Sequence, residues 1–486
     1  MNNNVLEKLK PYEVFKYFEE LSQIPRGSGN EKGISDYLVA FAKEHNLEVI
    51  QDSSLNVIIK KAATAGYENA PIVILQGHMD MVNEKNTGTE HDFERDPLKL
   101  RIDDDMVYAT GTTLGSDNGI AVAFALSILS SNVICHPALE VLVTTEEETG
   151  MGGAVGLNPK NIDGRILINI DSEEEGKLLV SCSGGVRAQV SMPIIWEESC
   201  SKMIPLAFRI RGLKGGHSGM EINKGRGNAN KIMGRFLMDL ESTVNFNLSS
   251  INGGSKMNAI PREMDVTILV SPDHIELIKE RVVVWNGILK NELRVADPEV
   301  RVEFEALVTK VERVFSKETT EKTIKLLYLT PNGIQTMSMD IAGLVESSTN
   351  VGVITTNTTT VNFDCAIRSC VKSLKYEILG QTRAVAELVG AKISTQSDYP
   401  QWEYNPNSVI RDIFEKVYKD IHGVNPEITA IHAGVECGLF EEKFGKIDMI
   451  SFGPNLFDVH TPDEHMSISS VERSYDYLLR VLREVQ

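Results

Sequence analysis

The chain has 486 residues, 42% hydrophobic and 24% charged, the make-up of an ordinary globular protein too long for one simple core. Its 68 acidic against 49 basic residues leave a net charge of -19, which argues against nucleic acid or an anionic membrane surface as a partner. No apolar run approaches the ~20 residues of a membrane span, and without an apolar stretch over 1–8 no secretory signal is expected. Cys135, Cys182, Cys200, Cys365, Cys370 and Cys437 contain no C-x-x-C pair. A reducing cytoplasm is therefore the expectation, and any metal must use carboxylates and imidazoles.

Two helices are predicted over 11–47, broken at Ile24-Pro25-Arg26-Gly27-Ser28-Gly29-Asn30, the second with Ile34, Leu38 and Phe41 at helical spacing. Residues 56–60 and 72–75 read as strands. The latter runs into Gly77-His78-Met79-Asp80, where His78 and Asp80, two apart, project to one side while extended geometry lasts. An imidazole beside a carboxylate at a strand end suits a metal, although a solvated turn uses the same residue types. Asp103, Asp104 and Asp105 stand between two strands and read as a solvated hairpin rather than a metal cluster.

Asp117 precedes an apolar helix over 120–129 and is either an N-cap or, between Gly115 and Gly119, part of a backbone that approaches something closely. A strand over 139–145 runs into Glu146, Glu147 and Glu148, and another over 165–170 ends on Asp171. In an open α/β sheet such strand ends gather at one edge, where ligands bind.

From about 187 the pattern changes. A strand over 206–211 leads into a glycine-rich stretch holding His217, then a helix from 227 to about 240, a strand over 264–270 and a helix over 274–292. A second block echoes it, with strands over 306–311, 351–355 and 360–368 and helices over 319–329 and 374–388. Two βαββαβ-like blocks in tandem predict a duplicated α+β module. Beyond Trp402 the first style returns, with a helix over 408–421, strands at Thr429 and 447–451, and a last helix over 470–485. One α/β domain, 1–186 with 397–486, is expected to be interrupted by another, 187–396.

Several motifs run in one order along the chain: Gly77-His78-Met79-Asp80, Gly111 through Asp117 to Gly119, Thr145-Glu146-Glu147-Glu148-Thr149-Gly150, Ile170-Asp171, Gly216-His217-Ser218-Gly219, Asn258-Ala259-Ile260-Pro261-Arg262, Ala433-Gly434-Val435-Glu436 and His460-Thr461-Pro462-Asp463-Glu464. Together they resemble the metal-dependent peptidase family that holds glutamate-carboxypeptidase-type and aminoacylase-type enzymes, nearest its aminoacyl-histidine dipeptidase branch. The resemblance implies a mixed twisted sheet flanked by helices, carrying two Zn²⁺ ions (Co²⁺ or Mn²⁺ tolerable), and an inserted α+β lid of two similar modules. It implies Asp117 as the bridging ligand, His78 and Asp171 on one ion, Glu148 and His460 on the other. Asp80 would buttress His78, and Glu147 would be the general base. The residues alone leave open which of the three adjacent glutamates does what; the family's E-E-x-G pattern places the pair at Glu147 and Glu148, with Glu146 where an aspartate is commoner.

The resemblance makes His217, otherwise equally a turn histidine, a donor to the oxyanion. Asn258 and Arg368 become substrate contacts, Arg368 for the C-terminal carboxylate of a dipeptide, and Gly434 and Glu436 fall where the pocket closes. His45, His91, His136, His274, His422, His432 and His465 read as surface or core residues.

The implied activity is hydrolysis of unblocked dipeptides, Xaa-His preferred. An N-acyl-amino-acid or related amidohydrolase is the alternative within the family, and a binding or assembly protein without catalysis the alternative outside it. Small family members carry one lid module and share sites across a dimer. A doubled insert is therefore expected to let a single chain be complete, with a homodimer still open.

Overall fold

The computed structural model describes residues 5–486. Two compact units divide the chain. The first runs to Ser181 and resumes over Tyr404–Ala430 and Val435–Gln486; the second comprises Cys182–Glu403 and Ile431–Gly434.

The first unit is built on a mixed sheet in the order Glu48–Gln51, Val57–Lys61, Leu139–Thr144, Val73–His78, Ile166–Asn169, Asp448–Ser451, Lys177–Cys182, Glu427–Ile431. Its four middle strands, from Leu139–Thr144 to Asp448–Ser451, are mutually parallel. Val73–His78 and Leu139–Thr144 are buried at every position, as near-continuous apolar runs require in parallel strands covered on both faces. The helix Ser116–Ser130, apolar all round, packs against both Val73–His78 and the helix Tyr12–Leu21. Parallel strands share one C-terminal edge, and the residues just past it include His78, Glu147, Glu148 and Asp171. A smaller antiparallel sheet, ordered Leu456–Phe457, His465–Ser467, Met106–Ala109, Leu100–Asp103, carries His460 in the turn between its first two strands.

The second unit holds one continuous antiparallel sheet. Its order is Arg301–Ala306, Ile204–Arg211, Met264–Val270, Phe246–Gly253, Val345–Thr356, Thr360–Ser369, Gly184–Pro193, Lys392–Tyr399. The halves meet through the pair Gly253 and Ile354. Side chains from the helices Ala229–Glu241, Ile275–Glu292, Lys317–Leu329 and Lys372–Val389 join both halves of the sheet in one apolar core containing Phe208, Phe236, Trp285, Phe315 and Phe363.

Three local expectations need correction. The strand expected over 306–311 lies at Arg301–Ala306, and Val308 is fully exposed. Ala306 stands opposite Leu206, and the partner strand begins only at Ile204, so beyond Leu307, whose N–H reaches the Pro205 carbonyl, the chain has little to pair with. The strand expected over 351–355 spans Val345–Thr356. Its polar first half is buried because its side chains find partners, as when Asn350 donates to the carbonyls of Met257 and Ala259. Asp105, expected in a solvated hairpin, accepts from Ser467 Oγ and from Ser469 N and Oγ at the start of the helix Ile468–Glu484. Among the described residues no helix is long and apolar enough to cross a membrane.

Candidate metal centre

At the C-terminal edge of the first unit's sheet, Asp117 stands between two imidazoles. Its Oδ1 lies 3.1 Å from His78 Nε2 and its Oδ2 3.1 Å from His460 Nε2. Each imidazole faces a second carboxylate with the same nitrogen: His78 Nε2 is 3.4 Å from Asp171 Oδ1, and His460 Nε2 is 3.0 Å from Glu148 Oε1. His78, Asp117 and Glu148 can bring one ligand atom each within 4.8 Å of one another. Two ligand atoms on one tetrahedral ion, each ~2.0–2.1 Å from it, stand about 3.3–3.4 Å apart. A neutral imidazole lone pair against a carboxylate oxygen is repulsive unless a proton or a cation lies between them. The donor set therefore fits two cations that share Asp117, with oxygen and nitrogen donors and no thiolate.

Without cations, protons must do that work. Bonds to Asp117 and Glu148 raise His460 to about 10. Burial alone would lift Asp117, but His460 and His78 outweigh it and hold this carboxyl well below its usual range. Burial, with Asp117 and Glu148 adding to it and His78 opposing, lifts Asp171 to about 6. Glu147 is raised to about 9 by burial and by the carboxylates of Asp171, Glu436 and Glu148, against the pull of His78.

The three adjacent glutamates are separated by backbone geometry. Asp80, fully buried, accepts from the peptide N–H groups of Glu147 at 3.1 Å and Glu148 at 3.3 Å and from Ser28 Oγ at 2.8 Å, while its Oδ1 lies 3.3 Å from His78 Nδ1. One carboxylate thus orients both an imidazole and the turn that carries the glutamates. Glu146 has a positive φ of 51° and its N–H goes to Glu31, so its exposed side chain leaves the cluster.

Two residues to which sequence reasoning gave no role brace the centre. Buried Arg26 donates to the carbonyls of Met79 at 3.0 Å and Asp80 at 3.2 Å, and also to that of Gly115. It thereby ties the His78 turn to the Asp117 turn. Glu464 accepts from the N–H groups of Leu114, Gly115, Ser116 and Asp117 and from Ser116 Oγ, at 2.7–3.4 Å. The only advance signal for Glu464 was its place in a motif beside His460, and Arg26, in the break between two helices, carried none.

Glu436, expected where the pocket closes, is 1% exposed, with Oε2 accepting from Gln76 Nε2 at 2.6 Å and Thr144 Oγ1 at 2.8 Å. Gln76 Oε1 accepts in turn from Asn169 Nδ2. This buried network crosses the three strands that lead to His78, Glu147 and Asp171.

The second unit holds the other candidates. His217 Nδ1 accepts from the N–H groups of Gly219 at 3.3 Å and Met220 at 3.0 Å, so the neutral ring carries its proton on Nε2. Burial and the Arg368 charge lower its pKa and favour that neutral form. Arg368 Nη1 donates to Tyr399 Oη at 2.9 Å. A Cβ at Gly434 would lie 2.7 Å from the Tyr399 ring, so only glycine fits there unchanged. Asn258 is exposed, and its backbone carbonyl accepts from Ser218 N–H.

The sequence pattern of peptidase family M20/M25/M40 matches residues 74–484, and the chain belongs to that family. The cytosol non-specific dipeptidase of Escherichia coli (strain K12) is 39% identical over 480 residues, covering 99% of both chains. The crystal structure of aminoacylhistidine dipeptidase from Vibrio alginolyticus superposes with a TM-score of 0.96 at 40% identity, covering 99% of this chain and 98% of that one. Aminopeptidase PepT from Bacillus cereus, at 14% identity and a TM-score of 0.57 over 98% of this chain and 99% of its own, shares the fold.

Proposed function

We propose that this member of the family is a dipeptidase with two Zn²⁺ ions, acting in the cytoplasm on unblocked dipeptides of the Xaa-His type. The observation that carries the reading is Asp117, whose two oxygens each face a different imidazole paired with its own second carboxylate. His78, Asp171 and Asp117 would hold one ion, and His460, Glu148 and Asp117 the other. Bound there, the ions would supply Lewis acidity to the scissile carbonyl and acidify a water.

The chain's own groups would do the rest. Glu147 carries no ligand role and would take the water's proton and return it to the leaving amine nitrogen. Asp80 would keep His78 oriented and the Glu147–Glu148 turn in place. His217 Nε2–H would donate to the oxyanion, Asn258 would contact the substrate, and Arg368 would pair with its C-terminal carboxylate. Gly434 would leave Tyr399 and Arg368 room to keep their contact. The relatives' printed names, a non-specific dipeptidase and an aminoacylhistidine dipeptidase, support the dipeptide class and leave side-chain preference to experiment.

The test is metal analysis together with a panel of Xaa-His dipeptides, other free dipeptides, a carnosine-like β-alanyl dipeptide and N-acetylated counterparts. Two metals per chain and preferred cleavage of free dipeptides are expected. Preferred cleavage of the N-acetylated members would move the reading to an amidohydrolase. Fewer than one metal in a folded sample that cleaves nothing would move it to a non-catalytic binding protein.

A further inference from the structure

Beside Arg368, in the second unit, lies a histidine to which neither sequence nor reaction assigns a task. His432 is 6% exposed. Its Nε2 is 2.7 Å from Ser348 Oγ, and its Nδ1 is buried without any hydrogen-bond partner. Ser348, 1% exposed, stands opposite Arg368 on the neighbouring strand. Arg368 has the same deficit: Nη1 reaches Tyr399, but Nε is buried and unpartnered. Gly219 draws the group together. A Cβ there would lie 2.5 Å from the His432 carbonyl, 3.2 Å from Arg368 Nε and 3.2 Å from His217 Cε1.

Buried polar atoms without partners are costly, and here two such atoms belong to residues that both neighbour Ser348. The charged or titratable groups that act on His432 are Arg368 and His217, with no carboxylate among them. Burial and these neighbours push His432 down to about 3, so the ring is neutral at working pH and does not repel the guanidinium. In the tautomer where the Ser348 hydroxyl donates to Nε2, Nδ1 carries the proton and is a donor. A guanidinium N–H and an imidazole N–H together lack an anion with two acceptor oxygens. A Ser348–His432 nucleophile pair is the competing use of these residues. It fails because Ser348 is buried and no acid orients the ring.

We propose that His432 is a specificity-determining residue: with Arg368 it receives the free carboxylate of the substrate's C-terminal residue, Nδ1–H serving one oxygen and the guanidinium the other. This rests on the reading of Arg368 given above. The pair would make the enzyme discriminate dipeptides from their C-terminal amides, which carry no charge and place an NH₂ donor against one of the two donors.

The experiment compares L-alanyl-L-histidine with L-alanyl-L-histidinamide on the wild-type holoenzyme and on two variants that separate the ring nitrogens. His432→Gln retains a polar group near the Nε2 position and the Ser348 contact. His432→Asn places its amide near Nδ1 and gives up Ser348. His432→Gln is expected to raise KM for the free dipeptide about 10–100-fold, to change kcat by only a few-fold, and to shrink the acid-over-amide ratio by about the same factor, as for loss of one charge-assisted hydrogen bond. His432→Asn is expected to keep most of the ratio. A role in packing alone would not separate the two variants, and metal content and near-ultraviolet circular dichroism confirm that both fold. The proposal is overturned if His432→Gln keeps the wild-type ratio, or if His432→Asn loses as much as His432→Gln. If the wild-type enzyme itself cleaves the amide as readily as the acid, the carboxylate reading of Arg368 fails first, and that outcome is distinct from either variant result.

Discussion

Replacing Glu464 by glutamine tests whether the metal centre depends on how its bridging ligand is held. The Glu464 carboxylate faces donors on both oxygens: Oε2 accepts from Leu114 N–H at 2.9 Å and Gly115 N–H at 3.0 Å, and Oε1 from Ser116 N–H, Ser116 Oγ and Asp117 N–H at 2.7–3.4 Å. The amide keeps one oxygen, and its better orientation leaves that oxygen on the side with more donors. Its NH₂ then opposes the N–H groups of Leu114 and Gly115. Two bonds to a charged acceptor are lost, each worth roughly 1.5–3 kcal/mol, so about 3 kcal/mol is the lower figure for the turn. Most of that loss falls on the segment that carries Asp117, which both ions would share. Metal affinity should therefore drop about 10–100-fold, the usual cost of removing a group that orients a ligand, while Tm falls by only a few degrees. Competition with a fluorescent chelator reads the affinity. Turnover against free metal should show activity returning to within a few-fold at saturation. A variant that binds both ions as tightly as wild type would refute the reasoning.

Other outcomes follow from the same geometry. Glu147→Gln should retain both metals and lose roughly 10²–10⁴ in kcat, whereas Glu148→Ala should lose one metal; the reverse pattern in metal analysis would exchange the two roles. Burial raises Glu436 to about 8, above its unfolded value, so its contribution to stability is present in full below about pH 4.5 and is lost as pH climbs through 8. Calorimetry on metal-free protein should show that part of the decline between pH 5 and 8 disappears in Glu436→Gln, which keeps an acceptor for Gln76 and Thr144; an unchanged slope would count against a neutral Glu436. Gly434→Ala should push the Tyr399 ring off its contact with Arg368 and raise KM about tenfold, with kcat less affected. Mixing His217→Ala chains with Glu147→Gln chains should restore no activity if each chain is complete, and recovery would show that sites are shared between chains.

Helices such as Ile275–Glu292 and Ile468–Glu484 were legible because periodicity and capping are local. The parallel core was legible as apolar runs of strand length, and the α/β class followed from those runs. Less legible were elements whose stability comes from distant partners. Val345–Thr356 looks too polar to be a buried strand until Asn350 is seen donating to Met257 and Ala259. Residues 308–311 look apolar enough for a strand but run past the end of the strand they would pair with.

The order of chemically able residues along the chain determined the family resemblance and the candidates His78, Asp117, Glu148, Asp171 and His460, because a motif is a string and survives being read without its fold. Which of three consecutive glutamates turns inward was decided by Asp80, through hydrogen bonds to the backbone of Glu147 and Glu148 from a residue far away in the chain. The buried places of Arg26, Glu436, Glu464 and His432 were likewise invisible in the linear text. Burial and hydrogen bonding depend on what the rest of the chain brings within a few ångströms, and that is a property of the folded chain alone.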